Sequence, residues 1–93
     1  MTDIRGKSIL AVARDIADGY VIVNPLFLKP LGSESLKELC LNIIRVQTEI
    51  KGEKFPYNDV AAIRVRNMKL QRLHSALMII RNFARERGMK QIF

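Results

Sequence analysis

Residues able to do chemistry are few in this 93-residue chain, and they stand apart. There is one cysteine, Cys40, and one histidine, His74. A metal site needs several His, Cys or carboxylate ligands at matched spacing, and neither residue has that company. His74 has Arg81 near it on a helical wheel and no acid three or four positions away to orient its ring, so the sequence gives it no acid–base role. Cys40 falls beside a seam of leucine and isoleucine and reads as a small buried hydrophobe. Asp15 and Asp18 lie one helical turn apart, outside any apolar run that would raise a carboxyl pKa, and read as solvated surface. No G-x-x-x-x-G-K-[ST] loop, G-x-G-x-x-G turn or G-x-S-x-G elbow occurs. The expectation is a protein that binds rather than catalyses, with no cofactor and no metal.

Charge supplies the sharpest candidate for binding. The net charge is +7, and residues 1–59 contribute none of it, because their Lys and Arg are matched by Asp and Glu. The excess lies in Arg64, Arg66, Lys69, Arg72, Arg81, Arg85, Arg87 and Lys90, faced by Glu86 alone. Basic clusters supply the salt-dependent part of nucleic-acid affinity, so Arg64, Arg66, Lys69 and Arg72, assisted by Arg81 and Arg85, are candidate contacts to phosphates or to an acidic partner. Against nucleic acid, these residues spread over three sides of a helix, and no aromatic residue is interleaved with them to stack bases. The competing reading is that their stems cover apolar edges while Arg85 and Arg87 complement the negative end of a helix dipole.

The elements that must carry these residues follow from apolar spacing. Ile9, Val12, Ala13, Ile16 and Tyr20 mark one face of a short first helix, with Asp3 or Ser8 as its cap and Asp18-Gly19 as its stop. Residues 20–31 form an apolar connection broken by Pro25 and Pro30, whose β-branched start leaves room for a brief strand. It is expected to lie across the helices and close the core, with a docking surface for another protein as the second reading. Ser35 and Glu38 match a capping box and predict the start of a second helix, on which Leu36, Leu39, Ile43, Val46 and Ile50 form a seam widened by Cys40 and Ile44. Gly52 stops it, Pro56 blocks continuation, and Asn58 or Asp59 caps a third helix over 60–87, roughly 42 Å long. The two long helices make an antiparallel hairpin. Residues 89–93 are expected to fray or to tuck Ile92 and Phe93 against a neighbour.

Residues 73–83 of the third helix are apolar nearly all round, and such a helix is buried nearly all round. A second copy of the chain is the simplest source of the missing cover, which makes Leu73, Ala76, Leu77, Ile79, Ile80 and Phe83 a candidate dimer interface.

The fold expectation is therefore all-α, a single helical domain over 1–93 completed as a helical bundle in a dimer. Apolar residues make up 48% of the chain, enough for a globular core. A lone cysteine points to a reducing compartment, so a cytoplasmic protein without a secretion signal is expected. The longest nearly uncharged run, residues 19–28, is too short to span a bilayer. The function expected from these features is a homodimeric protein-interaction or scaffold module with an unidentified protein partner, and nucleic-acid binding through the third helix is the alternative.

Overall fold

Where the chain can cap a helix decides where its helices begin. In the computed structural model, which describes residues 3–4 and 6–88, the Ser8 hydroxyl accepts from the Ala11 amide at 3.2 Å and opens α1, Ile9–Asp18. Of the two expected caps, Ser8 is the one used. The residues before it pair instead as a small antiparallel hairpin, β1 (Asp3–Ile4) with β2 (Lys7–Ser8), turning through Gly6 at φ +78°. Gly19 ends α1 in the left-handed conformation, φ +85°, its amide donating to the Asp15 and Ile16 carbonyls.

The brief strand expected in the apolar connection does not form. Asn24 accepts from the Phe27 amide at 2.8 Å and starts a one-turn helix, α2 (Pro25–Leu28), with Pro25 in the first position, where its missing N–H has no partner to lose. The proline that forbids a long helix thus begins a short one. The second expected helix also starts earlier than its capping box implies. It is α3, Ser33–Gly52, entered from Gly32 without a side-chain cap, and Glu34 faces the positive end of its dipole. Ser35 and Glu38 lie inside it. The third expected helix is α4, Val60–Glu86, whose cap is Asp59, accepting from the Ala62 amide at 3.0 Å. The expectation for residues 89–93 lies outside the described residues.

The fold is all-α, built on the α3–α4 hairpin. α1 packs against both α3 and α4, and α2 packs against α4. Their shared core has Leu28, Leu36, Leu39, Ile43, Leu73 and Ile80 as its largest fully buried side chains, with Ile9, Val12 and Ile16 of α1 beside them. No polar or charged side chain is buried among the described residues. The wide seam of α3 is covered on the Cys40 side, whereas Ile44 is 41% exposed.

This packing changes the reading of residues 73–83. Leu73, Ala76, Leu77, Ile80 and Phe83 are buried within the single chain, and Ile79 packs half-buried against the same core. The cover assigned to a second chain comes from α1 and α2. Helical-wheel reasoning undercounted the apolar connection, which folds back and delivers Val23, Phe27 and Leu28 to the core.

Another part of α4 does go uncovered. Arg72 and Lys69 meet the last residues of α1, so the turns of α4 before Lys69 run beyond that helix. There Val60 is 72% and Val65 51% exposed. The overhang elongates the molecule: its radius of gyration is 13.8 Å, against about 12.3 Å for a compact domain of this length.

Candidate interaction surface

The basic residues of α4 are held apart by different tasks. Arg72 donates from Nη1 to the Ala17 carbonyl at 3.0 Å, satisfying a last-turn acceptor of α1. Its guanidinium lies against Gly19, where an added Cβ would sit 3.0 Å from Cζ. Glycine is therefore required there both by its backbone and by the arginine. Lys69 pairs with Asp18 at 3.5 Å. Arg66 lies over the Phe55 ring, 5.1 Å from its centroid, and its buried Nε has no hydrogen-bond partner. Arg87 covers Phe83 at 4.6 Å. Arg81 lies near enough to Cys40 to act on its thiol. Arg64 and Arg85 are exposed, the latter in the last turn of α4. Of the six candidate phosphate contacts, Arg66, Lys69 and Arg72 thus have intrachain tasks.

The other candidate groups are dispersed as well. Cys40 is buried, and desolvation pushes its thiol up to about 11 from 9.0, partly offset by the Arg81 charge. It is a neutral thiol at physiological pH. His74 is exposed in a shallow cleft between α3 and α4 with Gln47, Lys51 and Asn67. Cys40 does not line that cleft, so the two residues share no site. Asp15 pairs with Lys7 at 2.7 Å and Asp18 with Lys69, which makes them a clamp between segments rather than a carboxylate pair. No group of three or more His, Cys, Asp or Glu close enough to hold a metal occurs among the described residues.

What the fold does bring together is apolar surface. The connection after α1 alternates in its placement: Val23, Phe27 and Leu28 are buried, while Tyr20, Ile22 and Leu26 are 81%, 78% and 79% exposed. The buried set anchors the segment, so the exposed set is displayed on fixed backbone. Ile22 and Val21 wall a depression of about 340 Å³ floored by Ser75, Ala76 and Ile79 of α4. Gln71 and Arg72 also line a second depression of about 640 Å³, which continues along the overhang past Met68, Ile63 and Val60. The two adjoin at Gln71 and Arg72 as one shallow, mainly apolar groove, walled by the connection at one end and open along the overhang, where α4 alone lines it. Sequence reading missed its α4 half, although Val60, Met68 and Arg72 recur there at helical spacing.

A second feature lies at the hairpin tip. Phe55 and Tyr57 meet in a tilted contact, 4.7 Å between ring centroids and 51° between planes, Arg66 lies over Phe55, and Tyr57 is 79% exposed. The aromatic company that the basic residues lack in sequence is supplied here by the loop.

Among the described residues no helix is long and apolar enough to cross a membrane. Compared with known proteins, the chain matches no family model, no curated protein and no solved structure.

Proposed function

We propose that this chain is a non-enzymatic protein-interaction module that binds a protein partner through the groove beside the exposed connection. One observation carries the reading: Tyr20, Ile22 and Leu26 stand about four-fifths exposed on a segment whose other apolar residues are locked in the core. Large apolar side chains in water cost free energy that burial against a partner recovers, and Ile22 of this set lines the groove itself. A scaffold role in a reducing compartment such as the cytoplasm fits the lone buried thiol. The homodimer expected from the sequence loses its original support, because the residues named for it already pack inside one chain.

Nucleic-acid binding is the second reading, favoured by Tyr57, Phe55 and Arg66 at the hairpin tip, where an exposed ring beside a cation suits an unpaired base. The first reading ranks above it because Lys69 and Arg72 already face acceptors of their own chain.

Size-exclusion chromatography with light scattering separates the two. The chain is isolated without nuclease at low salt from the cells that encode it, and absorbance is recorded at 260 and 280 nm. With two Tyr and no Trp, the chain absorbs so little that any bound nucleic acid dominates the trace. Protein binding is expected to give a protein-dominated spectrum heavier than the free chain. A peak dominated by 260 nm absorbance that splits at high salt overturns it in favour of nucleic acid.

A further inference from the structure

Resting on the reading of the groove as a protein-binding surface, we propose that its occupant is an acidic amphipathic helix of a different protein. The floor follows one face of α4 through Val60, Arg64, Met68, Gln71, Ser75 and Ile79, with Ile22 as a wall. At 1.5 Å per residue this run is roughly 28 Å long, the length of a helix of about five turns. Straight, shallow apolar grooves of this kind take the apolar stripe of a helix whose anchors recur every three or four residues.

Charge identifies the occupant. No acid lines either depression, and the sole acid within α4 is Glu86, at its far end. Arg64 lines the groove and makes no ion pair among the described residues, and Arg72, whose guanidinium also donates to the Ala17 carbonyl, lines it two turns further on. A carboxylate on the flank of an incoming helix would meet Arg64 at the edge of an interface that excludes water, where a charge pair is screened least. A second copy is disfavoured by the same arithmetic. Two α4 helices laid face to face bring Arg64 and Arg72 of one chain against those of the other, in chains that each carry +7. Nucleic acid is disfavoured by the apolar floor, which offers phosphates only Arg64 beyond the already engaged Arg72.

The test uses two synthetic helical peptides of about 20 residues with the same leucine stripe, one flanked by Glu and the other by Lys. Each is titrated into the isotope-labelled full chain at about 50 mM salt. The Glu peptide is expected to shift amides of residues 20–23 and 60–79 and to bind about tenfold or more tighter than the Lys peptide. The double variant Ile22→Ser, Met68→Ser should weaken it about tenfold while leaving the melting temperature nearly unchanged, since both side chains are exposed. Arg64→Glu should reverse the preference between the peptides. Equal or tighter binding of the Lys peptide, or self-association mapping to these amides, overturns the acidic occupant and leaves the protein-binding surface standing. Failure of both peptides to move these amides overturns the occupant too. An oligonucleotide that shifts them in the peptides' place overturns the occupant and the protein-binding reading together.

Discussion

Arg72 shows how little a charge count says about what a charge does. It is one of the residues that a basic-helix reading assigns to phosphate, yet its guanidinium closes the last turn of α1 by donating to the Ala17 carbonyl and packing on Gly19. Arg72→Met keeps much of the apolar stem and removes the donor, so it should lower stability by about 1–2 kcal/mol. Arg64→Ala, at an exposed position without an ion pair among the described residues, should stay within about 0.5 kcal/mol. Urea denaturation of the two variants checks the difference, and equal effects would remove the capping role. Cys40 gives a second expectation at this scale. Its thiol ionises only near 11, against 9.0 in the unfolded chain, so native labelling at pH 8 should run about a hundredfold slower than in denaturant. The unfolded thiol loses its proton first as pH rises from 9.0 towards 11, so across that window the unfolded state binds fewer protons and folding stability falls. A native labelling rate that plateaus by pH 9 would contradict the raised pKa.

The helices divide into those whose boundaries are set by local chemistry and those set by packing. Ser8→Ala and Asp59→Ala each remove a hydroxyl or carboxylate that accepts from an amide three residues on, and each should cost about 1 kcal/mol in thermal or urea unfolding. Ser35→Ala should be nearly neutral, because α3 begins at Ser33 and is entered from Gly32. A loss of about 1 kcal/mol at Ser35 would restore the capping box as the working start of that helix. The same division explains what was legible in the sequence. The Gly19 stop, the Asp59 cap and the α3–α4 hairpin rest on hydrogen bonds between near neighbours and on a 3.6-residue period, both written locally. The β1–β2 hairpin and α2 were not legible, since two-residue strands and a single turn are too short to show a period. Nor were the tasks of Arg72 and Lys69, whose partners lie on α1, about fifty residues away in the chain. A helical wheel gives the direction of a side chain and not what stands opposite. That is also why cover for residues 73–83 was sought in a second molecule when the chain's own connection supplies it.

Taken as a whole, the molecule is a three-helix core of α1, α3 and α4, closed by α2, from which the first turns of α4 project past the end of α1. Elongation and the uncovered Val60–Met68 side of α4 follow from one fact: α1 stops at Gly19, level with Lys69 and Arg72. The groove that results is left unused by the core, and its apolar floor beside Arg64, which makes no ion pair among the described residues, is what makes protein the favoured partner. The most direct test of that claim is position-specific photocrosslinking in the cells that encode the chain. A photoreactive aromatic residue is placed at Ile22, at Met68 or, as a control, at the exposed Lys37 on α3. Protein adducts of one common mass are expected from positions 22 and 68 and none from 37. Adducts of equal yield at all three positions, or adducts sensitive to nuclease, would contradict the account.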